Sequence, residues 1–220
     1  MDGTLTEPRG NFKTELLLDL RKLSEYAEIG ILTGSDMNYI QSQMLKLIKF
    51  SEVRFKTHLL PCNGTKHYKP PMYSDDEFEL VSKNNMESFL GKRCHREIMK
   101  IITQMQADAC FYDIPLTGHY VNYRGSMINW CPIGRNATHQ QRSEFAKYDS
   151  ENNFRIGMLK KLQHKIDIAC PSKVEIKLGG ETSFDIFPIG WDKTYALQHF
   201  TDKTCWFVGD RCEQNGNDYE

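Results

Sequence analysis

Four short stretches carry residues that could do chemistry together: Asp2-Gly3-Thr4, Thr33-Gly34-Ser35, Lys193, and Asp210 followed by Asn217-Asp218. Transfer of a phosphoryl group to a carboxylate needs oxygen ligands for a hard cation, a hydroxyl and a lysine to bind the transferring oxygens, and an acid/base beside the nucleophile. The set matches that requirement in residue type. Taken singly, each member has a plainer reading. Asp-Gly is common turn chemistry, Thr33 or Ser35 can cap a helix, Lys193 is a charge at a helix start, and Asp210 and Asp218 solvate a loop. Their occurrence together, in this order, favours the joint reading.

To meet, these residues must sit on elements that bring them to one end of a sheet. Residues 12–26 put Phe12, Leu16, Leu17, Leu20 and Leu23 at helical spacing, opposite Lys13, Glu15, Asp19, Arg21 and Lys22. A short apolar run, Glu28 to Leu32, ends in the hydroxyl-rich turn Thr33-Gly34-Ser35-Asp36. Met37, Ile40, Met44, Leu47 and Ile48 then mark a second helix, with Ser35 or Asp36 as its N-cap. This order is an α/β pattern, in which ligands sit at the carboxyl ends of parallel strands and helix N-termini favour anions. The turn Pro61-Cys62-Asn63-Gly64-Thr65 has the Asn-Gly signature of a hairpin.

The texture changes from about residue 74. Ser74 with Asp75, Asp76 and Glu77 reads as a helix start, running to Leu90 with Gly91 as its stop. Further helices are expected over 95–107 and, as a pair, over 138–166. A hairpin joins 120–124 to 127–130, and Val174, Ile176 and Leu178 alternate with charged residues as a half-buried strand. Pro188 to Lys193 opens a short helix, and Cys205-Trp206-Phe207-Val208 reads as a buried strand ending in Gly209-Asp210. The expected organisation is therefore a core of residues 1–77 and 188–220, interrupted by an α+β insert of 78–187.

Composition narrows the function classes. With 220 residues, 40% of them hydrophobic, the chain can bury a sizeable core. A formal charge of -1 and a pI near 6.7 leave no net basic field for nucleic acid or an anionic membrane. The seven cysteines contain no C-x-x-C pair, which points to reduced thiols, and no apolar run approaches a membrane span. A soluble cytoplasmic protein is the expectation.

The most specific strings lie in and just after the insert. Tyr123-Arg124 leads through Asn129-Trp130-Cys131-Pro132-Ile133-Gly134-Arg135 to Gln141-Arg142-Ser143-Glu144-Phe145. Gly179-Gly180-Glu181-Thr182-Ser183-Phe184-Asp185-Ile186-Phe187-Pro188 runs into Gly190-Trp191-Asp192-Lys193. On these strings the chain resembles the eukaryotic-type phosphomannomutases of the haloacid dehalogenase (HAD) superfamily over nearly its whole length. The resemblance implies an α/β fold, a HAD-like Rossmannoid core with an inserted α+β cap that binds substrate. It also implies catalytic roles for Asp2, as general acid/base, and Lys193. Arg9, Arg124, Arg135 and Arg142 would hold sugar phosphates, and Ser183 and Asp185 would contact the substrate. Thr33, Gly34 and Ser35 would bind phosphate, and Asp2, Asp210 and Asp218 would form a Mg²⁺ site.

The arginine assignments have independent physical support. A guanidinium offers a phosphate a planar fork of donors and stays charged at any working pH. Arg135 follows Pro-Ile-Gly in a turn and Arg142 falls about two helical turns later, so one anion could meet both.

The implied reaction interconverts α-D-mannose 1-phosphate and D-mannose 6-phosphate through an aspartyl phosphate and a hexose bisphosphate, supplying GDP-mannose synthesis. In the family's D-x-D-G-T pattern Met1 stands at x, so the nucleophilic aspartate is expected ahead of Met1, and relatives continue their metal loop past Glu220. Thr33 stands where phosphomannomutases tend to have glycine, which leaves Thr33 and Ser35 as alternative phosphate hydroxyls. Implied partners are the hexose phosphate, the hexose bisphosphate and a second copy of the chain paired through the cap, with no nucleic acid and no membrane. Two rival readings share these residues. One is a sugar-phosphate phosphatase of the same superfamily, in which water attacks the phosphoenzyme; the other is a non-catalytic sugar-phosphate-binding protein. Four placed arginines favour the mutase over the phosphatase, because they suit a second phosphate.

Overall fold

Asp36 opens the helix that the hydroxyl-rich turn predicts: its side chain accepts the Tyr39 N–H at 3.1 Å, and α2 runs Met37–Phe50. Helix α1 (Thr14–Ser24) and strand β1 (Ile29–Leu32) precede it, close to the expected spans. Leu20, Ile31, Ile40, Met44 and Leu47 from these elements form one apolar cluster with Phe12 and Leu59. Burying such side chains is worth roughly 1.5–3 kcal/mol each. That holds β1 in place and fixes the turn at its carboxyl end.

The computed structural model describes all residues except 2, 8, 9, 11, 213–217 and 220. It has two compact units, Met1–Asn84 with Gly190–Glu220, and Asn85–Ile189. In the first, β1 pairs in parallel with β2 (Thr57–Leu60), and β2 turns through Pro61–Thr65 into antiparallel β3 (Lys66–Lys69). Strand β4 (Glu79–Lys83) completes the order β1-β2-β3-β4. A 3₁₀ helix, Lys193–His199, belongs to the same unit.

The second unit is α+β. Helices α3 (Met86–Leu90) and α4 (Lys92–Ala109) lead to the hairpin β5 (Val121–Tyr123) and β6 (Ile128–Trp130). Helices α5 (His139–Asn152) and α6 (Phe154–Ala169) precede β7 (Val174–Gly179) and β8 (Ser183–Pro188). The sheet order is β5-β6-β8-β7, all antiparallel, with Asn129 directly opposite Asp185.

Three expectations are corrected. Residues 74–90 are not one helix. The buried Arg54 guanidinium takes the Ser74 carbonyl at 3.1 Å and the Asp76 carbonyl at 2.5 Å, oxygens a helix would need for its own N–H groups. Pairing with β3 then draws 79–83 into a strand, and Asn85 starts the short helix instead by accepting the Ser88 N–H at 2.8 Å. Cys205–Val208 is neither a strand nor buried. Trp206 is 93% exposed, and apolar composition without ladder partners among the described residues does not make a strand. The third correction is covalent: Cys94 and Cys170 form a disulfide tying α4 to the end of α6, where reduced thiols were expected. Among the described residues, no helix is long and apolar enough to cross a membrane.

Candidate active site

Gly3 has φ +77°, and a Cβ there would lie 2.2 Å from Asp210 Oδ2. Only glycine lets this turn lie against that carboxylate. Thr4 Oγ1 donates to Asp210 Oδ1 at 3.2 Å. The first and last motifs of the chain therefore meet, while Asp2 itself lies outside the described residues. Asp218 is buried, and its Oδ1 accepts from Lys193 Nζ. Its Oδ2 accepts the Arg211 N–H at 3.3 Å, and the Arg211 carbonyl accepts the Asp218 N–H at 3.1 Å. Those bonds bring Asp218 beside the segment that carries Asp210. Burial pushes the Asp218 carboxyl up, but the Lys193 ammonium and the Arg211 N–H outweigh it and hold the group below its ordinary range.

The turn after β1 has a division of labour. Thr33 is buried, and its Oγ1 accepts the Ser35 N–H at 3.1 Å. The Thr33 and Ser35 carbonyls accept the Asn63 and Cys62 N–H groups at 2.9 and 2.8 Å. Thr33 thus works inside the turn. Ser35 is half-buried, and no described residue bonds its hydroxyl.

Five of the six expected substrate residues come together in the second unit. Arg124, just after β5, is buried with Nη1 4.0 Å from Asp185 Oδ1. Arg135 sits in the turn after β6 and donates through Nη1 to Asn129 Oδ1 at 2.6 Å. Arg142 is placed by the capping box of Thr138 and Gln141 that starts α5. It donates through Nε to the Ala137 carbonyl at 3.1 Å, through Nη1 to Thr182 Oγ1 at 2.9 Å and through Nη2 to the Arg135 carbonyl at 3.1 Å. Ser183 and Asp185 lie on one face of β8. Arg9 falls outside the described residues.

Comparison with known proteins decides the family. The eukaryotic phosphomannomutase family model matches residues 16–220. This chain belongs to the eukaryotic phosphomannomutase family. Phosphomannomutase 1 of Dictyostelium discoideum is 36% identical over 224 residues, covering 100% of this chain and 83% of that protein. The phosphomannomutase of Dendrobium officinale is 35% identical over 222 residues, covering 100% of this chain and 81% of its own. Among solved structures, the N-terminally truncated, IMP-bound IMP-nucleotidase of Plasmodium falciparum superposes with a TM-score of 0.66 at 14% identity. It covers 99% of this chain, which spans 59% of that one, and at such identity the likeness concerns fold alone. The recognition made on the sequence strings is borne out, and so are the HAD-like α/β fold class and the enzyme class.

Within this phosphomannomutase-family chain, Asn129 is the site neighbour that sequence reasoning passed over. It was quoted only as part of a string. A polar residue inside the otherwise apolar Met127-Ile128-Asn129-Trp130 was the available signal, since a buried amide must find partners. Gly179 was also passed over: a Cβ there would lie 2.9 Å from both Asp185 Oδ2 and Ser183 Oγ, so the close approach requires its absence. A surface depression of ≈ 580 Å³ beside α6 and β7, lined by Gln163, Asp167 and Glu175, contains none of the expected site residues. The convergence of polar groups is the better guide here.

Proposed function

We propose that this protein interconverts α-D-mannose 1-phosphate and D-mannose 6-phosphate through an aspartyl phosphate and a hexose bisphosphate, supplying GDP-mannose synthesis. One observation carries this beyond family membership. Arg124, Arg135 and Arg142 gather with Ser183 and Asp185 in one unit, while Lys193, Asp210 and Asp218 gather in the other. A hydrolase of one phosphate has no need of a second anion site. A mutase must hold the non-reacting phosphate in either orientation of the bisphosphate, and arginine forks do so without regard to which end is presented.

Each residue's part follows from its chemistry. Asp2 moves the proton to and from the sugar oxygen. Lys193, aimed by Asp218, offers its ammonium to the transferring oxygens, and the Ser35 hydroxyl at the start of α2 offers another donor. The residues fit Mg²⁺ in donor type: Asp210 and Asp218 are hard oxygen ligands. Among the described residues no group of three or more His, Cys, Asp or Glu could hold a metal ion. Asp2, Asp210 and Asp218 would hold the cation, with water and phosphate oxygens completing its shell as is common for Mg²⁺. Bound there, it neutralises charge on the phosphoryl group. A cytoplasmic location and pairing of two copies through the second unit belong to the same proposal, the pairing being checked by light scattering.

The test is a coupled assay with the intact protein, Mg²⁺ and a catalytic amount of hexose bisphosphate. Steady formation of mannose 6-phosphate from mannose 1-phosphate is expected. Release of inorganic phosphate without isomer would assign a phosphatase, and binding without turnover would assign a non-catalytic role.

A further inference from the structure

We propose that Gln106, on the last turn of α4 and outside every motif named above, is a positioning residue for phosphate binding. Its side-chain amide pins the Pro132 carbonyl and so fixes the turn from which Arg135 projects and to which Arg142 is tied. The role rests on the mutase reading above and deepens it.

The turn Cys131–Arg135 is held through its backbone, and each of its successive carbonyls accepts a hydrogen bond. Cys131 takes the Gly134 N–H at 2.9 Å, and Gly134 takes the Ala137 N–H at 3.3 Å. Ile133 takes the N–H and the hydroxyl of Thr117 at 3.0 and 2.8 Å. Arg135 takes Arg142 Nη2 at 3.1 Å, and Pro132 takes Gln106 Nε2 at 3.1 Å. Gly134, at φ +87°, lets the turn lie against Gly118, whose carbonyl oxygen would be 2.2 Å from a Cβ. Two side chains thus reach these carbonyls from helices. Arg142 is itself an expected phosphate ligand, whereas Gln106 carries no charge and acts on the scaffold.

Partner chemistry fixes the Gln106 amide. Its Oε1 accepts the Trp130 indole N–H at 2.7 Å while Nε2 donates to Pro132, and an indole N–H only donates where a carbonyl only accepts. The amide cannot flip without losing both bonds. Helix α4 is a firm base for it: Ile98, Ile102, Met105 and Ala109 are buried, and Cys94 is joined to Cys170 on α6. Trp130 is fully buried and stacked on Phe184 with ring centroids 4.8 Å apart, and Phe184 stands between Ser183 and Asp185 on β8. One side chain therefore ties both the end of β6 and the start of the arginine turn to α4. Gln106 acts on the backbone of that turn, so its effect does not depend on which groups the Arg135 guanidinium meets. Holding the turn in its bound shape in advance removes ordering cost from ligand binding, which appears as affinity.

Gln106→Glu separates the two bonds. A carboxylate still accepts the indole N–H, but it has no proton for Pro132 and sets one acceptor against another. In the intact protein, KM for mannose 1-phosphate should rise about 3- to 10-fold, the loss expected for one ordinary hydrogen bond, with kcat within about twofold. Hydrolysis of a small aryl phosphate, which needs no distal phosphate site, should be unchanged, and the ¹⁵N-indole signal of Trp130 should stay near its parent position. Trp130→Phe is the converse. It removes the indole N–H but keeps the Pro132 bond, so it should lower thermal stability with KM within about twofold. A KM that follows thermal stability across the two variants would show a purely structural role and overturn the proposal. So would an unchanged KM in folded Gln106→Glu, or equal losses on the two substrates. Should Gln106→Glu not fold, the side-chain amide protons of Gln106 in the unaltered protein decide, recognised by their proximity to the Trp130 indole proton. They must exchange slowly with solvent and stay protected on adding mannose 6-phosphate, and rapid exchange in the free protein overturns the idea. Unaltered protein that neither binds nor turns over a mannose phosphate would remove the mutase reading and this inference together. Parent turnover with no change of KM in Gln106→Glu removes the inference alone.

Discussion

Arg142 Nη2 donates to the backbone carbonyl of Arg135 at 3.1 Å, so the two expected phosphate-binding arginines are tied to one another. With Nε on Ala137 and Nη1 on Thr182, two N–H donors of Arg142 hold the turn from which Arg135 projects and a third ties it to the β7–β8 connection. A lysine cannot reach three acceptors in different directions. Arg142→Lys should therefore be nearly as damaging as Arg142→Ala. Each is expected to lower kcat/KM for mannose 1-phosphate by about 1.5–3 kcal/mol, roughly 10- to 100-fold, while aryl phosphate hydrolysis stays near the parent level. Parallel assays on the two substrates check this. Near-complete rescue by lysine would mean that Arg142 supplies one charge and no scaffold.

Lys193 and Asp218 form the buried ion pair of the first unit, with side chains 16% and 3% exposed. Removing the cation strands a buried carboxylate, so Lys193→Met should cost about 3–5 kcal/mol at neutral pH. The sign with pH follows from the lowered Asp218 pKa. In the parent, the pair's contribution is present above the ordinary carboxylate value and is lost as pH falls through the folded one. In Lys193→Met, burial is opposed chiefly by the Arg211 N–H instead of by a full positive charge beside it, so that pKa should rise relative to the parent and the variant's deficit should narrow on acidification. Urea unfolding of both proteins at pH 7 and pH 4.5 measures it, and a deficit that does not change with pH would contradict the assignment.

The elements that place these groups were legible where local pattern and tertiary context agree. Helices α1, α2 and α4 follow their apolar spacing, the expected pair over 138–166 forms as α5 and α6 with α5 opening on the Thr138–Gln141 capping box, and the Asn-Gly turn joins β2 to β3 as its chemistry demands. Segment 74–83 was misread because its helix-start signature competes with an arginine fifty residues into the chain, Arg54, that claims its carbonyls. No local rule could reveal that. Cys205–Val208 shows the complementary limit, since a strand is defined by its neighbours. At the site, the family resemblance named Arg135, Arg142, Ser183 and Asp185, while cross-strand register set Asn129 opposite Asp185. The Cys94–Cys170 bond, spanning 76 residues, is likewise a fact of helix packing with no trace in spacing.

That disulfide makes a measurable prediction. Closing a loop of this length should stabilise the second unit by about 4 kcal/mol through the unfolded chain. Reduction by a small thiol, or Cys94→Ala with Cys170→Ala, should lower the unfolding temperature of the second unit. In denaturant without reductant, a maleimide should label five of the seven cysteines, the free ones being Cys62, Cys110, Cys131, Cys205 and Cys212. Seven labels before reduction would show the thiols unpaired in solution.

A hydrogen-bonded histidine pair sets a pH dependence of its own. The Glu28 carboxylate lies 3.4 Å from His58 Nε2, so that nitrogen carries the proton and Nδ1 accepts from His67 Nε2 at 2.8 Å. Burial, with His199, His58 and Lys69 nearby, lowers the His67 pKa from 6.5 to about 4. Between those values the unfolded chain binds a proton that the folded chain does not. Stability should accordingly rise with pH across about 4 to 6.5 and fall on acidification, by up to about 3 kcal/mol. His67→Gln keeps a donor toward His58 but cannot titrate, so it should flatten the profile in chemical denaturation between pH 4.5 and 7. An unchanged slope would place the sensitivity elsewhere.

The choice between Thr33 and Ser35 as the phosphate hydroxyl can be argued from what each oxygen already does. Thr33 Oγ1 is buried and receives the Ser35 N–H, and its carbonyl receives Asn63, so the side chain and backbone of Thr33 both brace the turn. Ser35 has backbone duties through its carbonyl but no described hydrogen-bond partner for its hydroxyl. Thr33→Val should thus act mainly on stability, costing about 0.5–1.5 kcal/mol for one lost internal hydrogen bond, with kcat/KM within about threefold. Ser35→Ala should leave the unfolding temperature nearly unchanged and lower turnover of mannose 1-phosphate and of a small aryl phosphate alike, because both present a phosphoryl group to this turn. That shared loss separates Ser35 from Arg142, whose substitution should spare the aryl phosphate. Thermal unfolding paired with both assays gives the answer. A Ser35→Ala protein with full activity, beside a Thr33→Val protein that is stable and slow, would reverse the assignment of the two hydroxyls.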